Sequence, residues 1–258
     1  MMKKKKSFLS KTALLFGAAA LLLGLSTVGS TRAALNYRSQ NFGMEVSVSN
    51  IGVSLEENGT TVSARYYDGR EVVVEEPLLK SLEEITADGT AKAAEKLQPG
   101  KNYREVLTAT NKGQIGCYVR VTLSRSWVKE DGTKDTALAP ELIRMNMDDG
   151  KEHNGWIVDP GASGSGTPGA YREQMVLYYT KPLEPGETTR SFNETLGIDY
   201  RIVQELVKEN GSGYEDRNIK LEAEVDAVQA HNAKEAIKSA WGVDADIAAD
   251  GTLRGLSR

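Results

Sequence analysis

Few side chains in this sequence can do chemistry, and their spacing puts none of them in a catalytic arrangement. Both histidines precede an asparagine, His153-Asn154 and His231-Asn232. No H-E-x-x-H is present, the pattern that offers two imidazoles and a base to zinc from one helix. His153 has Asp148, Asp149 and Glu152 nearby, an oxygen-rich set that could meet a metal, although a solvated acidic turn is the simpler reading. His231 stands just ahead of a helical pattern, as a surface or packing residue. Asp244, Asp246 and Asp250-Gly251 hint at calcium, but an EF-hand loop would need an oxygen ligand at Ala248, glycine at Ala249 and a closing glutamate. Ser163 and Ser165 lack the flanking glycines of a nucleophile elbow, and no phosphate-cradling loop occurs. We expect no catalytic residue, no metal ligand and no cofactor, and hence no enzyme.

Cys117 is the only cysteine, so the chain can form no internal disulfide and must hold together by packing. It shares a face with Val119, Val121 and Leu123 in an alternating run, which reads as a buried, inert thiol. Asn58-Gly59-Thr60 and Asn193-Glu194-Thr195 fit the glycosylation sequon, a pattern short enough to arise by chance. Trp127, Trp156, Trp241 and the pairs Tyr66-Tyr67 and Tyr178-Tyr179 could bind carbohydrate or peptide. In strands such aromatics are more often core or cross-strand pairs.

The first forty-five residues set the context. A lysine run, Lys3 to Lys6, precedes an apolar stretch from Ala13 to Leu25 and a short segment ending Thr31-Arg32-Ala33. Basic, then apolar, then small residues at minus three and minus one describes an export signal. The apolar run falls short of the roughly 20 residues that span a bilayer. We expect cleavage between Ala33 and Ala34, with Thr31 in the minus-three pocket. Three parts follow: a signal over 1–33, a β domain over 34–230, and a short helix with a mobile acidic tail over 231–258. The signal holds six basic residues and no acidic ones, so 32 basic against 36 acidic residues become 26 against 36, a net charge near −10. An acidic exported protein is poorly suited to nucleic acid or to anionic membrane.

The elements beyond the signal read mainly as β. Met44, Val46 and Val48 alternate with polar residues, and Ile51, Val53 and Leu55 repeat the pattern out of phase, which predicts a bend near Asn50. Strands over Val62–Tyr67 and Arg70–Glu75 flank Asp68-Gly69, a strong hairpin signal. Leu78 to Ile85 has helical spacing, and Ala91 to Leu97 could add a short helix. Further strands are expected over Tyr103–Thr110, Cys117–Val128, Gln174–Lys181 and up to Ile198. Pro160 to Gly169 forms a flexible loop, Ile202–Val207 a helical stretch, and Gly211-Ser212-Gly213 a loop. Ile219, Leu221, Ala223, Val225 and Ala227 make the cleanest half-buried strand. Asn232 and Glu235 then resemble a capping box for a helix ending at Gly242. Eight or more short strands between turns predict an antiparallel sandwich with short helical insertions and a C-terminal helix.

Several stretches resemble a known family. The signal, the segment Gly24 to Leu35, and the run Val225 to Ala233 continuing to Trp241-Gly242 resemble proteins of Gram-positive bacteria exported with the signal peptide cut by SipW, an ER-type signal peptidase. The middle resembles the TasA/CotN (camelysin-like) group in its Leu97-x-Pro99-Gly100, Asn111-x-Gly113 and Val119-Val121-Leu123 pattern. The resemblance implies a jelly-roll β-sandwich and a secreted structural subunit of an extracellular matrix or biofilm-type fibre. Its partners would be a SipW-type peptidase and other copies of itself or related subunits, with no nucleic acid and no membrane after cleavage. Members that polymerise do so by donor-strand complementation. The donor here would be 34–48, with Leu35, Tyr37, Met44, Val46 and Val48 as the candidate buried side chains. The resemblance also leaves two other readings, a camelysin-like secreted metalloprotease and a monomeric surface or matrix accessory protein.

Overall fold

The computed structural model describes residues 50–67, 74–136, 138–159, 173–208 and 217–258, which belong to the compact unit Val48–Arg258. The signal, the donor candidate, the Asp68-Gly69 turn, the Pro160–Gly169 loop with Ser163 and Ser165, and Gly211-Ser212-Gly213 lie outside these residues.

The described chain is mainly β, and every pairing in it is antiparallel. It opens with β1 (Gly52–Glu57), β2 (Thr60–Tyr66), the two-residue β3 (Val74–Glu75), β4 (Leu82–Ile85), β5 (Ala91–Ala94) and β6 (Asn102–Asn111). Then come β7 (Cys117–Lys129), β8 (Ile143–Met145), β9 (Trp156–Val158), β10 (Gln174–Tyr179) and β11 (Asn193–Ile198). Helix α1 (Arg201–Lys208) leads to β12 (Arg217–Gln229), α2 (Ala233–Trp241), β13 (Asp244–Ile247) and β14 (Leu253–Ser257). One sheet runs β3-β2-β1-β6-β11-β8, with the β4–β5 hairpin attached to β6. A second runs β12-β7-β10-β9, and β13–β14 make a separate hairpin. Both large sheets feed one hydrophobic cluster, in which Val53, Leu55, Val62 and Leu107 join Val119, Val121, Leu123, Leu177, Leu221 and Val225. The arrangement is sandwich-like, with alternate residues of each strand supplying the core.

Two regions depart from the local reading of the sequence. The stretch with helical spacing after Pro77 forms β4 instead, hairpinned to β5 where a short helix was expected. The turn between them decides it: Asp88 Oδ1 accepts from the Thr90 amide at 3.1 Å and from the Thr86 hydroxyl at 2.5 Å, and Gly89 takes φ 83°. That local chemistry sets a hairpin, and cross-strand pairing overrides the helix preference of Ala91 and Ala93. The second correction is the acidic end. The chain expected to run on as a tail pairs as β13–β14, and Leu253 is buried. The expected capping box is also absent. Asn232 takes a left-handed conformation (φ 51°, ψ 45°) and caps with its backbone carbonyl, which accepts from Ala236 at 3.0 Å.

Helix α2 and the β13–β14 hairpin cover a second apolar cluster on the outer face of the β12-β7-β10-β9 sheet. Tyr118, Val176, Tyr178 and Val228 project outward there and meet Ile237, Trp241, Val243 and Leu253. The Trp241 ring packs edge-on against Tyr178, with centroids 5.3 Å apart. Trp241→Ala should cost about 3–5 kcal/mol, the range for removing a buried indole. Urea denaturation checks the loss, and binding of a hydrophobic dye to the native variant checks that the outer apolar patch has been uncovered.

Candidate functional site

The side chains capable of chemistry make ordinary structural contacts. Asp148 pairs with Arg125 at 2.6 Å inside the core and accepts from the Met145 amide at 2.8 Å. Burial nevertheless lifts its carboxyl above the ordinary value, against the pull of Arg125. His153 makes a tight backbone bridge with Trp156, and its ring contacts Asn154 at 3.2 Å. Asp244 pairs with Lys238 at 2.6 Å, and Asp250 accepts from the Thr252 amide at 3.0 Å. Among the described residues, no group of three or more His, Cys, Asp or Glu side chains is placed to hold a metal ion. The tryptophans are core residues: Trp127 donates to the Ala139 carbonyl and Trp156 to the Arg190 carbonyl, the latter indole packed between Tyr179 and Phe192. Cys117 is fully buried, and burial pushes its thiol up to about 12.

Three buried ionisable residues were not singled out in the sequence, although two of them, Arg125 and Glu105, interrupt an alternating apolar series. Arg125 sits between Leu123 and Trp127 on the inner face of β7, and its Nη1 donates to the Ile143 carbonyl at 2.6 Å. Asp226 continues the polar outer face of β12 and holds two arginines, Arg65 and Arg120. Glu105 lies between Tyr103 and Leu107 on the inner face of β6 and is fully buried. Burial, and then the neighbouring Glu57, push Glu105 up to about 9. Glu57 in turn accepts from the Leu79 amide at 2.6 Å. That bond fixes the segment after Pro77, where Leu79 holds φ 63°, a strained value for a residue with a branched side chain.

The feature with room for a partner is a groove beside β12. It encloses about 570 Å³ between Leu55, Val62 and Leu78 on one wall and Ile219, Leu221 and Ala223 on the other. β12 pairs with β7 along all thirteen of its residues. Among the described residues nothing pairs with its other edge. Which backbone groups face outward follows from two bonds. The Ala227 amide donates away from β7, and the Arg125 amide of β7 donates away from β12, to Glu173. In an antiparallel ladder the in-plane groups alternate, so the amides and carbonyls of Ile219, Leu221, Ala223 and Val225 point into the groove. Ile219 and Ala223 also remain only half-buried although their side chains face the core. The outer face of the same strand is polar, with Lys220 pairing to Glu222 at 2.7 Å. Among the described residues the site is thus an unfinished sheet edge over a groove of mixed lining, with Ser63, Glu76, Thr122, Ser124 and Gln174 beside the apolar walls, suited to an extended segment with one apolar and one polar face.

No protein-family model, curated protein or solved structure matches the chain. Among the described residues no helix is long and apolar enough to cross a membrane.

Two variants test the buried charges. Removing the carboxylate in Asp148→Ala leaves Arg125 in the core without its counter-charge and should cost about 3–5 kcal/mol, measured by chemical denaturation. For Glu105 the unfolded chain loses the proton near pH 4.5 and the folded chain near pH 9. The proton's contribution is complete below the lower value and is lost as pH rises through the window to the upper one. Glu105→Gln should therefore leave the melting temperature almost unchanged at pH 4 and raise it above wild type at pH 8. Parallel curves across that range would contradict the assignment.

Proposed function

We propose that the chain is an exported, non-catalytic subunit of an extracellular matrix or biofilm-type surface fibre, built on a jelly-roll sandwich of the TasA/CotN kind. A SipW-type signal peptidase would read Thr31 and Ala33 and free the N-terminus at Ala34. The released segment 34–48 of one copy then completes the sheet of the next. The observation that carries this reading is the outer edge of β12, unpaired among the described residues and bordered by an apolar groove.

Complementarity supports it. Met44, Val46 and Val48 alternate with Glu45, Ser47 and Ser49, so an extended segment can turn its apolar side chains toward Leu55, Val62 and Leu78 while its backbone bonds to β12. Leu35 and Tyr37 extend the same candidate segment upstream. A contact made by one end of each copy with a different surface of the next does not close on itself, and repetition yields a filament.

The test is assembly of the mature chain starting at Ala34, followed by electron microscopy and sedimentation. Fibres are expected from that chain, and none from a chain lacking 34–49. Ala223→Pro provides a sharper control. It removes an amide that faces the groove and not β7, a place where an edge strand tolerates proline. The variant should fold with the wild-type circular dichroism spectrum and fail to polymerise. Monomers of the mature chain under every condition would refute the fibre and leave a monomeric matrix protein. Fibres from the proline variant would place the acceptor edge elsewhere.

A further inference from the structure

The open edge of β12 stops at a defined residue. At Ala227 the outward amide already has a partner, donating to the Tyr67 hydroxyl at 3.3 Å, and that hydroxyl donates to Asp226 Oδ1 at 3.4 Å. Arg65, near the end of β2, reaches the same place. Its Nη2 meets Glu224 Oε1 at 2.6 Å, and its Nη1 contacts Asp226. From β7, Arg120 Nη2 meets the other Asp226 oxygen at 2.6 Å while its guanidinium lies 5.3 Å from the centre of the Trp241 ring. One carboxylate, 11 % exposed, thereby ties β2, β7 and β12 together. Tyr67, 45 % exposed, closes the strand edge beside it.

The geometry points to Tyr67 and Arg65 as an end stop that fixes the register of a strand docked on β12, restricting it to the run Arg217–Val225. This inference rests on the donor-strand reading and names which part of the donor pairs. Nine residues of β12 span about 30 Å, whereas the fifteen residues of 34–48 span about 50 Å when extended. The acceptor edge therefore takes roughly nine donor residues, and the alternation assigns that place to the half holding Met44, Val46 and Val48. The polar stretch Asn36–Gln40 is left beyond the ladder.

The stop also limits the register on one side. A slip of one residue would turn the apolar donor side chains to water. A slip of two residues keeps the alternation, so side-chain pattern alone does not forbid it. Toward Ala227 such a slip would have to displace the Tyr67 hydroxyl from its amide and strip Asp226 of a hydrogen bond beside two arginines. A docked strand therefore comes to rest against the tyrosine.

Residue-resolved amide exchange on the chain lacking 34–49, whose β12 edge has no donor of its own, with and without excess synthetic peptide 34–49, tests this. The peptide should slow exchange by more than about tenfold at Ile219, Leu221, Ala223 and Val225 and leave Ala227 unchanged. Tyr67→Phe keeps the ring and removes only the hydroxyl. In that variant the Ala227 amide should exchange rapidly without peptide and become protected with it. Protection of Ala227 by peptide in the wild type, or identical footprints in both proteins, would overturn the end stop while leaving donor-strand docking in place. Absence of any peptide protection along β12 would overturn the docking reading as well.

Discussion

A β-strand has two hydrogen-bonding edges, and the long strand β7 uses both. Its even-numbered residues pair with β12 and its odd-numbered residues face β10, as the Arg125 amide does at one end and Cys117 does through Leu183 at the other. The same odd residues send Cys117, Val119, Val121, Leu123 and Trp127 into the core. β7 is therefore the member to which the rest of its sheet is registered. β12 gains a thirteen-residue ladder from it and, among the described residues, has no partner on its far side. Such an edge invites pairing with other chains, and globular proteins commonly blunt it with charge, bulges or cover. Here Lys220, Glu222 and Glu224 keep the outer face polar, and the Arg65–Tyr67–Asp226 group closes one end. Among the described residues the rest of the edge stays open over a partly apolar groove.

The core around that edge contains charge where packing alone would favour hydrocarbon. Arg125 and Asp148 form a pair beneath the turns on either side of β8, with the guanidinium also bonded to the Ile143 carbonyl. A pair of this kind adds little net stability, because desolvation offsets most of the attraction, but it disfavours arrangements that separate its members. Glu105 is a different case. Burial, and then Glu57 beside it, push its carboxyl up to about 9, which keeps it protonated through neutral pH. Glu57 also accepts from the amide of Leu79, the residue after Leu78 in the groove wall.

On the opposite face of the same sheet, α2 and the β13–β14 hairpin cover the apolar residues of β7, β10 and β12. Arg120 links this cover to the groove side, since it contacts both Trp241 and Asp226. The final residues therefore take part in the sandwich, which explains why an acidic segment with scattered apolar side chains folds into a hairpin.

Local pattern in the sequence determined the strands with strong alternation. Cys117 to Val128, Tyr103 to Thr110 and Ile219 to Ala227 each appear within a residue or two of expectation, because a period of two on a half-buried surface has no good alternative. The burial of Cys117 and Trp127 was legible for the same reason. Local pattern misled where propensity and pairing disagree, as at Ala91–Ala94, and where few apolar residues had to suffice, as at Asp244–Ile247. Glu105 and Arg125 were visible only as interruptions of an apolar series, and Asp226 only as one more residue on a polar face. Their meaning depended on partners far along the chain: Asp148 for Arg125, and Arg65 and Arg120 for Asp226. Which strand forms an edge was decided by tertiary structure alone. A strand's sequence records which side chains face inward, but its in-plane hydrogen bonds belong to backbone groups that every residue carries alike.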